Sequence, residues 1–296
     1  MYIRKKEQTM LTLILFILAV IATFFMVYFH ELSTSGILYW TIPLYLIGFF
    51  LAFFILFLLI LYIITWFIKP DKKLERPKPF YQFFIKMTCE FLVGVCRLDL
   101  VVLNKEAIPK DRTFLMVSNH QSNLDPIVSV WAFRNFNLTY IMKDSIMKIP
   151  LVGRFLYGGG FLPLNRKNNR KALKTILIAT KRVADGVHPI ALYPEGTRSK
   201  SPTMNEFRNG AFKIAQKSEC PIVVMTLDPT YMFKRQFPLK RTKILLDIVR
   251  VIEYAEYDNM STNEIGDWVH TLIENRLEVR RKEFSWLQTK KTKALL

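Results

Sequence analysis

Two uncharged runs, residues 10–29 (MLTLILFILAVIATFFMVYF) and 37–68, constrain the fold of this chain more than any other feature. At 1.5 Å per residue the first makes about 30 Å of helix, enough to span a hydrocarbon core. The second is too long for one untilted span. It divides most simply at Pro43, with Leu38, Tyr39 and Trp40 at the interface and a second membrane helix behind them. The intervening HELSTSG has no Lys or Arg, whereas RKK at 4–6 and KPDKKLERPKP at 69–79 are basic. The positive-inside rule then places both ends in the cytoplasm. A cleaved signal peptide is rejected, because the first run exceeds the usual apolar length and a second follows at once. A hairpin that dips into one leaflet without crossing fits the hydropathy equally well.

Beyond the hairpin the chain is different in kind. Of 42 Lys and Arg against 24 acids, residues 1–69 hold four and two, leaving 38 basic and 22 acidic side chains, a net +16, for the rest. That segment is long enough for a full single-domain core. Cys89, Cys96 and Cys220 are too few and too scattered for a disulfide framework or a zinc site, which points to a reducing compartment. The aromatic-rich FYQFFIKMTCEFLVGVCRLDL, 80–100, reads as an amphipathic helix on the membrane or over the core, with Cys89 and Cys96 as packing residues. Short apolar runs then alternate with helical patterns. Strands are expected at Thr113–Val117, Leu138–Met142, Phe161–Leu164, Pro189–Tyr193, Pro221–Leu227 and Lys243–Val251. Helices are expected at 126–134, 144–156, 168–185, 206–218 and 262–287, the last opened by a Ser261/Glu264 capping box. The pattern predicts an α/β domain with a largely parallel central sheet flanked by helices, behind an N-terminal hydrophobic helical hairpin. The expected divisions are a membrane anchor at 1–69 (helices about 10–30 and 44–68), an amphipathic linker and surface helix at 70–111, and the α/β domain at 112–296, its tail QTKKTKALL frayed.

Three stretches stand out. In VSNHQSNLDP, 117–126, His120 follows a strand and Asp125 lies five residues on. An unbroken helix would set those side chains about 140° apart, so they meet only across a turn, which Asn119, Ser122 and Asn123 favour. A His–Asp contact would fix the imidazole tautomer for a general base. Asp125 before Pro126 also suits a helix N-cap, and both roles are compatible. Taken alone, His120 is as readily structural as catalytic. In LYPEGTRS, 192–199, Glu195, Gly196, Thr197 and Arg198 fall at the carboxyl end of a strand, where ligands gather in open α/β sheets. Gly196 permits close backbone approach and Arg198 offers a fork for phosphate; the plainer reading is a β-turn with a solvated Arg. In GGGFLPLNR, 158–166, a flexible connection ending at Arg166 is the plainer reading. No nucleotide-binding phosphate loop is present.

Taken in this order and spacing, NHQSNLD and PEGTRS about 70 residues later resemble the 1-acylglycerol-3-phosphate O-acyltransferase family of membrane glycerolipid acyltransferases (PlsC type), over roughly residues 80–230. YIMKDSIMKIPLVGRF at 140–155 is similar to the family's lysine-led helix, and FRNGAF at 207–212 is similar to the family's segment just after the Glu-Gly-Thr-Arg motif. The resemblance implies His120 as general base oriented by Asp125. It implies Arg198, Arg166 and Lys143 as holders of the acceptor phosphate, in a pocket shaped by Glu195, Gly196 and Thr197. Two departures bear on acceptor choice: Pro163 stands where the family has Phe, and Cys220-Pro221-Ile222-Val223-Val224 lacks the usual second proline.

On that resemblance the expected reaction moves an acyl chain from acyl-CoA or acyl carrier protein to the sn-2 hydroxyl of lysophosphatidate, making phosphatidate by direct transfer. Neither a metal nor any cofactor beyond the thioester co-substrate is expected, since no second His or paired Cys accompanies His120. The basic surface suits lysophosphatidate, an anionic membrane surface, coenzyme A and acyl carrier protein. A nucleic-acid partner is excluded by the anchor and the lack of an aromatic-basic binding motif. The rival readings are the same mechanism on another acceptor (a different lysophospholipid or glycerol 3-phosphate) and a membrane lipid-binding protein without turnover. The expected location is a membrane, with the domain on the cytoplasmic side, in a bacterial cytoplasmic membrane rather than the endoplasmic reticulum.

Overall fold

The computed structural model describes residues 10–33, 41–68 and 76–293. The basic RKK, the TSG end of the HELSTSG loop, the interface residues Leu38, Tyr39 and Trp40 and the basic run through 75 lie outside the described residues. The two apolar runs form α1 (Met10–Ser33) and α2 (Ile42–Thr65), helices long and apolar enough to cross a membrane. Pro43 stands in the first turn of α2, where its missing N–H costs nothing, so the helix starts slightly before the expected position. Most side chains of the pair face outwards, while Leu11 and Leu15 pack on Met87 of α3 (Pro79–Val95). That apolar exterior fits membrane association.

The remaining elements, in order, are β1 (Leu98–Leu103), β2 (Leu115–Ser118), α4 (Asp125–Ala132), β3 (Thr139–Lys143), α5 (Val152–Gly158), β4 (Leu162–Leu164), α6 (Asn169–Ala184), β5 (Ile190–Leu192), α7 (Lys213–Ser218), β6 (Ile222–Asp228), α8 (Phe233–Gln236), β7 (Thr242–Ile252), α9 (Thr262–Glu283) and α10 (Lys290–Lys293). The strands form one sheet in the order β1-β7-β6-β2-β5-β3-β4, parallel at every pairing except β6 with β7. Strand β2 is central and buried along its whole length, which explains its continuous apolar run. Side-chain alternation splits the core. Phe114 and Met116 face the layer built by α3, α4 and α5, whereas Leu115 and Val117 face the layer built by α6, α7 and α9.

Several expectations need correction. The sheet begins at Leu98, ahead of the division at 112, because β1 pairs in parallel with β7. Arg97 at φ 54° makes the sharp turn out of α3, a turn usually marked by Gly or Asn. The helix expected at 144–156 is a 3₁₀ turn, Asp144–Lys148, and then α5, separated at Pro150 and at Leu151 with φ 64°. The helix expected at 206–218 has only a 3₁₀ turn, Asn209–Phe212, before α7. Gly158, Gly159 and Gly160 are not a flexible connection: a Cβ on them would collide with Tyr81, Ile85 and Pro77, so they let α3 and the segment before it close onto the sheet. In the tail, Lys290–Lys293 form α10, with the Thr292 hydroxyl buried and donating to Leu287 O at 2.9 Å, and 294–296 lie outside the described residues. The capping box of α9 is present, Ser261 N donating to Glu264 at 2.6 Å.

His188, just before β5, is buried, and desolvation with the nearby Arg182 charge pushes its imidazole down to about 3. An unfolded histidine titrates near 6.5, so between these values the unfolded chain takes up a proton that the folded one refuses. Stability is therefore full above about pH 6.5 and falls as the pH drops towards 3. At pH 5 the loss amounts to about 2 kcal/mol. Thermal unfolding in detergent at pH 7 and pH 5 should show a smaller acid loss for His188→Leu than for wild type; equal losses would refute this assignment.

Candidate active site

The parallel strands β2 to β6 send their carboxyl ends to one edge of the sheet, and every side chain singled out from the sequence lies there. Lys143 ends β3, Arg166 follows β4, Glu195 to Arg198 follow β5 and His120 follows β2. His120 thus sits between the loops that leave β5 and β6.

Residues 119–124 make the turn that brings His120 to Asp125. The His120 Nδ1 lies 2.7 Å from Asp125 Oδ2. The same oxygen accepts from the backbone N–H of Gln121 at 2.6 Å and of Ser122 at 2.8 Å. Two backbone donors leave no room for a proton on Oδ2, so the hydrogen of the His–Asp contact belongs to Nδ1. In the neutral ring the Nε2 lone pair is then free, and no described protein group bonds to it. The other oxygen, Oδ1, accepts from the hydroxyl of Thr230, just beyond β6. Asp125 is fully buried, and its carboxylate turns back towards His120 instead of capping α4, whose N-cap is Leu124. The capping role expected of Asp125 is therefore not taken up.

On the opposite flank, buried Glu195 accepts His120 N at 2.6 Å through Oε1. Its Oε2 accepts both the backbone N and the side-chain Nδ2 of Asn205 at 2.8 Å. Burial pushes this carboxyl up, and the Asn205 and His120 amides pull it back. Ser199 N donates to His120 O at 2.8 Å, which closes the β5 loop onto the histidine. The imidazole stacks on Tyr193 at 4.2 Å and 9°, with Tyr140 behind it at 5.2 Å. Burial raises both phenols, so they stay neutral beneath the ring.

Gly196 has φ 67°, and a Cβ there would lie 2.9 Å from the Arg208 side chain. The glycine thus admits Arg208 itself. Desolvation and the Arg208 charge lower the Arg166 guanidinium, and Asp144 draws it back. Hydrogen bonds therefore join His120, Asp125 and Glu195, while Arg166 and Arg208 form a separate like-charged pair. Lys143 and Arg198 share the edge without touching His120, Lys143 and Thr197 being solvent-exposed.

Sequence reasoning missed the supports behind the pair. Gln121 Nε2 donates to Asp228 Oδ1 at 2.9 Å, and Arg281 Nε, near the end of α9, donates to Asp228 Oδ2 at 2.8 Å. Arg281 also donates to Pro202 O at 2.7 Å, holding the loop beyond the Glu-Gly-Thr-Arg segment. Burial pushes the Asp228 carboxyl up, and Arg281, then Gln121, pull it back. Asn119 exchanges two 2.8 Å bonds with the Leu227 backbone, fixing the start of the turn against β6. Asn119 and Gln121 lie within the recognisable motif; Arg281 has no local signal at all. Thr230→Val should cost about 1–3 kcal/mol by leaving Asp125 Oδ1 without its donor. Arg281→Met, which strands a buried carboxylate, should cost about 3–5 kcal/mol. Thermal unfolding checks both, and wild-type midpoints for either would contradict the network.

A family model described as Acyltransferase matches residues 99–228. The 1-acyl-sn-glycerol-3-phosphate acyltransferase of Helicobacter pylori is 32% identical over 163 residues, 54% of this chain and 68% of that protein. The protein of the same name from Saccharomyces cerevisiae is 26% identical over 188 residues, 62% of this chain and 61% of its own length, so the match stops short of two thirds of that relative. The counterpart from Borreliella burgdorferi is 27% identical over 173 residues, 56% of this chain and 68% of the relative. Among solved structures, the 1-acyl-sn-glycerophosphate acyltransferase PlsC of Thermotoga maritima aligns with a TM-score of 0.59 and 23% identity, covering 77% of this chain and 89% of that one. At that identity the likeness concerns the fold.

Proposed function

Since the chain belongs to the 1-acyl-sn-glycerol-3-phosphate acyltransferase family, we propose that it transfers an acyl chain from a thioester to the sn-2 hydroxyl of 1-acylglycerol 3-phosphate, forming phosphatidate for phospholipid synthesis. The observation that carries the reading is the His120–Asp125 contact with Nε2 left free at the carboxyl edge of the sheet. His120 Nε2 takes the proton of the acceptor hydroxyl as its oxygen attacks the thioester carbonyl. Asp125 stabilises the imidazolium that results. As the tetrahedral intermediate collapses, the carbon–sulfur bond breaks and the imidazolium returns the proton to the departing thiolate. No acyl-enzyme is needed: the nearby Ser122 hydroxyl accepts from Leu124 N and does not touch His120.

Arg166, Arg198 and Lys143 hold the acceptor phosphate, joined by Arg208. The Arg208 charge acts on Arg166, so this flank of the site is cationic, which supports this assignment. Glu195, Gly196 and Thr197 shape the pocket wall: Glu195 ties the β5 loop to His120, and Gly196 seats Arg208. The acyl thioester, on coenzyme A or a carrier protein, is the co-substrate, and the chemistry needs no further cofactor. The apolar hairpin keeps the site at an anionic membrane surface, on the cytoplasmic face by the basic flanks of the hairpin. A bacterial cytoplasmic membrane is the setting this arrangement suits.

Purified protein in detergent, given lysophosphatidate and an acyl thioester, should release free thiol and form phosphatidate in equal amounts. His120→Ala should lower the rate by at least about 10³-fold. Arg166→Ala and Arg198→Ala should each raise KM for lysophosphatidate about tenfold or more, the worth of one charge-assisted contact, without changing KM for monoacylglycerol. Phosphatidate formation at wild-type rate by His120→Ala would refute the mechanism. Thiol release with another lysophospholipid or glycerol 3-phosphate alone would move the acceptor. Lipid binding with no thioester consumed would leave a non-catalytic protein.

A further inference from the structure

From Arg166 to Ala184 the chain has seven Lys and Arg and no carboxylate. Most of this charge lies on α6, whose buried residues Thr175, Ala179 and Val183 face the sheet. Its outer face presents Arg170, Leu173, Lys174, Leu177 and Lys181, spaced three, four, seven and eleven residues from the first, so they form one exposed stripe about 16 Å long. Leu173 and Leu177 are 52% and 47% exposed, two leucines set among cations. Lys167 and Lys171 flank the stripe, and α7, packed beside α6, exposes Lys213 and Lys217. Asp185, held by Lys181 at 2.7 Å, places a carboxylate at the far end of the stripe.

Two placements decide what this surface fits. The stripe starts four residues after Arg166, at the edge of the sheet that carries His120. It also lies across the sheet from the hairpin, because α6 belongs to the core layer of α7 and α9, whereas the hairpin packs on α3 in the other layer. A helix that rested on the same bilayer as the hairpin would be expected in the hairpin's own layer. A cationic helix with two central leucines complements an acidic protein helix that has an apolar spot at its middle. We propose that the outer face of α6 docks the donor, an acidic carrier protein that bears the acyl chain as a thioester and delivers it over the Arg166 end of the helix. This inference rests on the acyltransferase reading of the site and adds to it the surface on which the donor is received.

The test compares wild type with Arg170→Glu/Lys174→Glu and with Leu173→Ser/Leu177→Ser, none of which touches the catalytic machinery. Each variant is assayed in detergent with palmitoyl-carrier protein and with palmitoyl-CoA, both against lysophosphatidate. The charge reversal should lower kcat/KM for the carrier donor about tenfold or more and leave the CoA donor within about twofold, and the wild-type carrier rate should fall steeply with salt. The leucine variant should weaken the carrier donor alone. Equal losses with both donors, or an unchanged carrier rate, would overturn the proposal while leaving the acyltransferase reading intact. Fluorescence anisotropy with labelled palmitoyl-carrier protein gives a readout independent of turnover: binding lost in the charge-reversed variant supports the docking surface, and binding equal to wild type refutes it. Retained carrier binding with lost binding to phosphatidylglycerol vesicles would assign the stripe to the membrane instead.

Discussion

The Asp125 carboxylate is the point on which the site depends. It is fully buried, and its two oxygens accept from the His120 ring, two successive backbone amides and the Thr230 hydroxyl. A buried carboxylate with fewer donors would be costly, so folding the 119–124 turn and placing the loop beyond β6 are coupled requirements. The His120–Asp125 geometry is thereby a by-product of satisfying one buried charge. Asp125 can hold the imidazole in a single tautomer because the amides of Gln121 and Ser122 forbid a proton on the shared oxygen.

Support for that carboxylate comes from distant parts of the chain. Strand β2 is central in the sheet, so its carboxyl end has a neighbour on each side. Glu195 beyond β5 grips the backbone of His120, and Asp228 at the end of β6 grips the side chain of Gln121. Arg281 ties Asp228 and the Pro202 loop to α9. One guanidinium on the last long helix thus braces both loops that flank His120, which gives α9 a part in the candidate site as well as in the core.

Much of this was legible in the sequence, and the reasons differ by element. The inner strands are short, continuous apolar runs because both faces of the sheet are covered, and they were found close to their true limits. The hairpin was plain from its lack of charge. Strand β1 escaped because it follows the aromatic-rich α3 without a glycine or proline, the break being made by Arg97 in a left-handed conformation. The 144–156 helix was overextended although Pro150 stood inside it. His120, Asp125 and the 195–198 segment were singled out because turn residues and chemistry-bearing residues coincide there and because their order and spacing resemble a known family. Arg281 and Thr230 could not be, since each meets its partner across more than fifty residues and neither occupies an unusual local pattern.

The central claim is that Asp125 holds a proton on His120 Nδ1 and leaves Nε2 free as the base. Nitrogen-15 NMR of histidine-labelled protein, with His120 assigned by the loss of its signals in His120→Gln, tests this directly. At a pH where the ring is neutral, the account predicts a pyrrole-type Nδ1 bearing a strongly deshielded proton and a pyridine-type Nε2. Asp125→Asn should abolish that deshielded proton. A protonated Nε2 with a bare Nδ1 in the wild-type protein would contradict the account.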